Sequence, residues 1–490
     1  MSFDLARYRA EWTGGSLHRE ILAGMVGTFA LIPEVIAFSF VAGVDPEVGL
    51  FASFVIGIVI AFAGGRPAMI SGAAGSVALV AAALVSSHGL QYLLAATLLC
   101  GAIQVVFGLL KLDVLMRFVS RSVRTGFVNA LAILIFSAQL PQMMDVTWHT
   151  YAMIALGLAI IYLVPRVTEA IPSPLICILV LTVVSMGMDM PLRTVADLGR
   201  LPDSLPSLVW PQVPLNLETL RIVFPYALAM AMVGLLESMM TAGVVDDWTE
   251  TNSSKRAECT GLGIANIAVG AFGGIAGCGM IGQTVGNLRY GGRGRLSTFV
   301  AGAFLLVLMV LLRPWVAQVP VAALVAIMIM VSVSTFSWSS LRDLAAHPRL
   351  SSLVMLATVA VVVVTHNLAM GVFVGVLLSG VFFAFKVMRL MQVEKAYDEA
   401  GRTRTYRVKG QVFFASAEMF ADAFDLRDAV ARQVVIDLTG AHLWDITAVG
   451  ALEGVVNKMR RHGLRVEVVG LNEASAGMVE RHGRFSPAEM

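Results

Sequence analysis

Two carboxylates hold positions that invite chemistry. Glu34 and Glu237 each fall near the middle of a long apolar stretch, where an ionisable side chain is costly enough to mark a function by default. A carboxyl kept from water either exchanges a proton or holds a cation, so the chemistry on offer is ion coupling rather than bond making. The competing reading is a carboxyl that pairs with a Ser, Thr or basic group only to fix helix packing. Pro33, directly before Glu34, is expected to interrupt its helix and free backbone groups, which favours a site. Thr241 follows Glu237 by one helical turn on the same face. A carboxylate and a hydroxyl at that spacing suit either Na⁺ coordination or the orientation of a proton donor, and spacing alone does not separate them.

A second pair of stretches is built to approach an anion. Ser71-Gly72-Ala73-Ala74-Gly75-Ser76 and Cys278-Gly279-Met280-Ile281-Gly282-Gln283-Thr284 consist largely of small residues that let a backbone come close. If each opens a half-helix at mid-membrane, free N–H groups and the positive dipole end face the cavity, and two such ends form an anion site with no fixed cation. Gln283 and Thr284 add neutral hydrogen-bonding groups. The alternative is that Gly and Ala serve tight helix packing; the matched positions of the two stretches favour a site. Nothing else suggests catalysis: no nucleophile with its base and no phosphate loop occurs, so no enzyme is expected. The four cysteines (Cys100, Cys177, Cys259, Cys278) lack CxxC spacing and read as small buried hydrophobes, without disulfide or zinc. The eight histidines show no metal spacing, and His88, His149 and His366 fall near segment ends. No metal or cofactor is expected beyond a coupling ion.

The elements that must position these residues are membrane helices. Of 490 residues, 57% are apolar and 14% charged, against roughly 25% charged in soluble domains. Residues 389–490 hold 28 of the charges, an ordinary density for a soluble domain. The net charge of +2 gives no reason to expect nucleic acid. Fourteen apolar segments fit the first part: 20–42, 48–64, 73–87, 91–111, 122–139, 150–165, 171–188, 222–245, 257–274, 279–288, 296–312, 318–335, 351–365 and 368–388. The third and tenth are poor spans, one rich in Gly, Ala and Ser, the other short and polar. Each is third in its group of seven, the mark of a transporter with inverted repeats, here about 20–188 and 222–388. Ala-Gly-Val follows each acid (42–44 and 242–244), a weak internal similarity. With the N-terminus inside, inner loops collect 18 Lys and Arg, from Arg7 and Arg9 to Arg389, and outer loops only Arg193, Arg200, Arg221 and Arg313. Both termini are therefore expected in the cytoplasm, with residues 1–19 as an interfacial segment that does not resemble a signal peptide. From 389 onward, strand-like runs (406–414, 434–438, 466–469) alternate with helical ones (447–462, 473–482), a small α/β domain.

These residues resemble the sulfate permease (SulP) family of anion transporters over nearly the whole chain. The match is strongest at Gly-Leu-Leu-Glu-Ser-Met-Met-Thr-Ala (234–242), Gly-Ile-Ala-Asn-Ile (263–267), Phe-Gly-Gly-Ile (272–275) and Gly-x-x-x-Gln-Thr-x-x-Asn (279–287). Pro33 through Gly43 and Ser71-Gly72 match the family's first and third segments. The resemblance implies fourteen spans in two inverted halves, a mobile core that carries the anion against a gate, a homodimer, and a cytoplasmic STAS domain. It implies an anion held between the third and tenth segments, with the backbone of the tenth at Gly279 and Met280, Glu237 as the coupling carboxylate and Thr241 as its partner hydroxyl. Together with the residue reading above, the anion is expected at Ser71, Gly72, Ala73, Gly279, Met280, Gln283 and Thr284, with Glu34, Glu237 and Thr241 coupling its movement to H⁺ or Na⁺. Many members have Gln where Glu34 stands and Arg where Gln283 stands. Losing a cation while gaining an acid makes uncoupled entry of a dianion harder and favours proton coupling. The chain is also similar to the family's bacterial proton-coupled fumarate symporters, so a dicarboxylate is the leading substrate.

The expectation is thus a polytopic α-helical carrier of the bacterial inner membrane that takes up an anion with protons. A Na⁺-coupled bicarbonate or sulfate symporter is the alternative within transport, and a membrane sensor signalling through its STAS domain the alternative outside it. Val434-Val435-Ile436-Asp437-Leu438 and Asp445-Ile446-Thr447 resemble the STAS core. In related anti-sigma antagonists a phosphorylatable serine follows that Asp; Ile446 stands there instead, so an interaction or regulatory role with a cytoplasmic protein partner is expected rather than phosphorylation, and a purely stabilising domain is the competing reading.

Overall fold

The computed structural model describes residues 11–12, 16–144, 146–167, 172–188, 190–202, 205–346, 349–400, 402–426 and 431–483. Most of the expected interfacial segment 1–19, Arg7 and Arg9 included, therefore lies outside the described residues.

All fourteen apolar segments are helices: α1 (Leu17–Ala42), α2 (Pro46–Ala63), α3 (Gly75–His88), α4 (Leu90–Leu109), α5 (Arg121–Ser137), α6 (Trp148–Leu163), α7 (Ser173–Gly187), α8 (Leu217–Thr249), α9 (Lys255–Ala271), α10 (Ile281–Arg289), α11 (Arg295–Ala317), α12 (Val321–Thr335), α13 (Arg349–Thr365) and α14 (Leu368–Met388). Lipid offers backbone groups no hydrogen bonds, so apolar runs of this length close their own as helices. Among the described residues nine helices are long and apolar enough to cross a bilayer. The third and tenth segments are short, at 14 and nine residues. An extended piece precedes each, β1 (Ser71–Gly72) and β2 (Cys278–Gly279), and the two pair antiparallel. Two expectations fail. Helix α1 continues through Pro33 without a break, because losing one backbone bond does not outweigh the packing of a 26-residue helix. The repeated Ala-Gly-Val is not structural either: Gly43 is the left-handed cap that ends α1, at φ 74°, whereas Gly243 lies inside α8.

The packing obeys the inverted repeat. Exchanging α1 with α8, α2 with α9, and so on to α7 with α14 maps the main helix pairs onto one another: α4 on α9 becomes α11 on α2, α11 on α1 becomes α4 on α8, and α13 on α5 becomes α6 on α12. The closest approaches match as well. A Cβ on Gly101 (α4) would lie 2.6 Å from the Gly263 carbonyl (α9), and one on Gly57 (α2) 2.9 Å from Gly302 Cα (α11). Two helix groups result, α1–α4 with α8–α11, and α5–α7 with α12 and α13.

The chain divides into units 1–376 and 377–490, the boundary falling within α14. The second unit carries a four-stranded sheet of β3 (Gln392–Asp398), β4 (Thr403–Val412), β5 (Gln433–Leu443) and β6 (Arg465–Val469) in sequential order. The β3–β4 pair is antiparallel and the next two pairs are parallel. Helices α15 (Ala417–Asp422), α16 (Ile446–Arg461) and α17 (Glu473–His482) complete it around a core that includes Tyr406, Phe420 and Leu452. Strand β3 and helix α15 were not foreseen; β3 is mostly exposed and carries no apolar alternation to betray it.

Candidate functional site

The site is organised by the β1–β2 ladder, in which Ser71 pairs with Gly279 and Gly72 with Cys278. Glycine is needed because the backbones press together: a Cβ on Gly277 would strike the Gly72 carbonyl. Buried polar side chains fix the crossing, since in lipid each backbone group must find a protein partner. Asn266 on α9 receives the Gly277 amide at 2.9 Å and donates to the Gly277 carbonyl at 3.1 Å and to Gln104 Oε1 at 2.8 Å. Ile70 N donates to Thr284 Oγ1 at 2.9 Å. Asn287 reaches the Ala68 carbonyl at 2.9 Å.

This scaffold brings two helix starts together. The first backbone bond of α3 runs from Ala78 N to the Ala74 carbonyl, and that of α10 from Thr284 N to the Met280 carbonyl. Among the described residues no side chain caps either helix, so the N–H groups of Gly75, Ser76 and Val77 and of Ile281, Gly282 and Gln283 lie uncapped at the helix starts. All but Val77 of these lie within the two stretches singled out in the sequence, toward their helical ends. Those of Ala73, Gly279 and Met280 are engaged, by Ser53 Oγ at 3.0 Å, Ser238 Oγ at 2.8 Å and the Ile70 carbonyl at 2.8 Å. Ser71 Oγ is buried with no hydrogen-bond partner among the described residues. Phe38 closes over Gly75, whereas Gly282 is exposed with open space where a side chain would be. An anion therefore has room at the start of α10.

Both acids reach this place and both are half-buried. The Glu237 carboxylate accepts a short hydrogen bond from Ser76 Oγ and a second from Cys278 Sγ at 3.2 Å. The Glu34 carboxyl interacts with the Gln283 side chain and lies within electrostatic reach of Glu237. None of the ion pairs among the described residues reaches either acid; Arg66 and Lys255 engage Asp246 and Arg295 engages Glu11. Thr241, paired with Glu237 in the sequence reading, instead gives its hydroxyl to the backbone carbonyls of Glu237 at 2.9 Å and Gly279 at 3.0 Å. It ties α8 to β2. Thr284 likewise serves the loop before β1 rather than the cavity.

Sequence reasoning missed the role of Cys278, read as a small hydrophobe and found to be a donor to Glu237. It also missed Ser53, Ser238, Asn266 and Gln104. The available signal was their polarity inside apolar segments, the same reasoning that picked out Glu34 and Glu237.

Comparison with known proteins accords with this geometry. The sulfate permease family model matches residues 17–153 and 142–358, and the STAS domain model matches 394–486. The chain is 53% identical over 473 residues to "Putative sulfate transporter YbaR" of Bacillus subtilis (strain 168), covering 96% of this chain and 98% of that one. It is 26% identical over 520 residues to "Bicarbonate transporter BicA" of Picosynechococcus, covering 95% and 90%. The murine Slc26a9 anion transporter in the inward-facing state superposes with a TM-score of 0.86 over 98% of this chain and 89% of that one at 16% identity, a likeness of fold alone. Two uncapped half-helix starts joined by a buried ladder, in a chain matched along nearly its full length by transporters, lead to one conclusion. The protein is a membrane-spanning anion transporter of the sulfate permease family with a C-terminal STAS domain.

Proposed function

We propose that this transporter takes up a dicarboxylate such as fumarate together with protons, by alternating access in which α1–α4 and α8–α11 carry the site past the other helix group. The observation that supports this most is the setting of Glu237. Its carboxyl is held by neutral donors, Ser76 at the start of α3 and Cys278 in β2, with no cation paired to it among the described residues. A dianion entering beside a charged carboxylate would meet repulsion that two helix starts, worth roughly half a charge each, do not cancel. A proton on Glu237 removes one charge from that balance. The Lys and Arg bias of the loops and the bacterial relatives support a bacterial inner membrane with both termini in the cytoplasm. A homodimer and a cytoplasmic protein partner of the STAS domain belong to the same proposal.

A second reading, a Na⁺-coupled symporter of sulfate or bicarbonate, draws on the names of the relatives. It uses Glu237 and Thr241 as the cation site, although the Thr241 hydroxyl is directed at backbone carbonyls. The deciding experiment is uptake of radiolabelled fumarate, sulfate and bicarbonate into proteoliposomes under an inward proton gradient or an equal Na⁺ gradient. Proton-driven fumarate uptake that is lost or clearly weakened in Glu237→Gln supports the proposal. Uptake driven by Na⁺ alone, or proton-driven uptake unchanged in Glu237→Gln, refutes it.

A further inference from the structure

We propose that Glu34 and Glu237 each take up one proton per cycle, so that the carrier moves two protons with one dianion and no net charge. This rests on proton coupling as proposed above and adds its stoichiometry and the charge class of the substrate.

The two acids are counterparts. They lie on α1 and α8, which exchange under the repeat, and α1 packs on the half-helix α10 of the second half as α8 packs on α3 of the first. Glu34 of the first half meets Gln283 in the first turn of α10, and Glu237 of the second half meets Ser76 in the first turn of α3. The partners are of one chemical kind. A hydroxyl and a carboxamide each donate to a carboxylate and accept from a carboxylic acid, so both positions tolerate both protonation states. An arginine at 283 would serve only the charged form. Cys278 is the titratable group hydrogen-bonded to Glu237 among the described residues, and near neutral pH a thiol carries no charge. Charged side chains on the helices packed against α1 and α8 sit toward helix ends: Glu47 on α2, Lys255 to Glu258 on α9, Arg289 on α10, Arg295 and Arg313 on α11.

Charge then fixes the count. A dianion with both acids ionised places four negative charges against helix starts worth roughly one positive charge together. One proton leaves three negative charges and two leave only the dianion itself. The protons come from the side with the higher proton activity, bind one carboxylate oxygen on each acid, and leave with the anion on the other side. A monoanion carried with two protons would move one net positive charge.

The test is a zero-flux measurement on the full-length protein in proteoliposomes, with potassium and valinomycin holding the membrane potential at zero, followed by flux measurements at potentials set by a potassium gradient. Fumarate is the first probe and sulfate the second dianion. At two protons per dianion a tenfold anion gradient is balanced by about half a pH unit, and at one proton by about a whole unit. Wild type is expected at the two-proton balance with flux insensitive to potential. Glu34→Gln is expected at the one-proton balance with flux that responds to potential, and Glu34→Asp, which keeps a carboxyl, at the two-proton balance. A one-proton wild type overturns this inference and leaves proton coupling standing, whether or not the Glu34→Gln protein folds. A two-proton balance in Glu34→Gln overturns it too. Dianion flux in wild type that ignores the proton gradient overturns both readings.

Discussion

Replacing Asn266 with alanine tests the scaffold of the site. Asn266 is fully buried and makes three hydrogen bonds, at 2.9, 3.1 and 2.8 Å, two to the Gly277 backbone and one to Gln104. Side-chain hydrogen bonds within membrane proteins contribute about 0.6 kcal/mol each on average and up to about 1.7. Three of them give roughly 2–5 kcal/mol, and the freed Gly277 amide and carbonyl have no water to turn to. Because all four cysteines are buried, a thiol-reactive fluorophore reports unfolding of the purified protein as it is heated. Asn266→Ala is expected to lower the apparent melting temperature by roughly 5 °C and to abolish most anion uptake, since Gly277 leads directly into β2. In a double-mutant cycle Gln104→Ala should be strongly non-additive with it, because the two side chains share a bond. A melting temperature within about 1 °C of wild type, together with normal uptake, would show that these bonds do not hold the crossing.

The close helix approach and the second unit yield two further predictions. Gly57→Leu forces a side chain into a place where even a Cβ lies 2.9 Å from Gly302 Cα, and backbone cannot give way as a side chain would; a loss of roughly 3 kcal/mol or more is expected, read as reduced folded yield on size-exclusion chromatography. In the STAS unit the Thr439 hydroxyl and amide hold the Asp437 carboxyl below its ordinary range. A depressed acid stabilises the fold above its unfolded pKa and loses that contribution as pH falls through the folded value. Asp437→Asn should therefore be less stable than wild type at neutral pH and indistinguishable from it well below about pH 4, as followed by circular dichroism.

The helices were legible because lipid leaves an apolar run of that length one choice, and the boundaries of α14 and α17 were read to the residue. The two acids were legible for the complementary reason, that charge in a bilayer is rare. The ladder was not, because a two-residue strand has no period to detect and its partner is some 200 residues away in sequence. Without the ladder, the donors could only be assigned to the small residues themselves. Within those stretches the amides of Ala73, Gly279 and Met280 are engaged in building the crossing, and among the described residues the uncapped ones lie at Gly75–Val77 and Ile281–Gln283. Thr241 shows the same limit: helical periodicity places it on the face of Glu237, but only the crossing reveals that its hydroxyl also reaches the Gly279 carbonyl.

The exchange of partners between the two halves has a consequence for biogenesis. On the ribosome α1, α2, α3 and α4 enter the membrane long before α8, α9, α10 and α11, yet most of their packing surfaces and the partner of Glu34 belong to the later group. The first half therefore waits in the bilayer with its central acid, its glycine faces and one edge of its strand unmatched, and it cannot settle until residue 317 or so has been inserted. Nascent chains arrested before and after that point should differ sharply in protease resistance, the shorter ones depending on the insertion machinery or a chaperone to shield them.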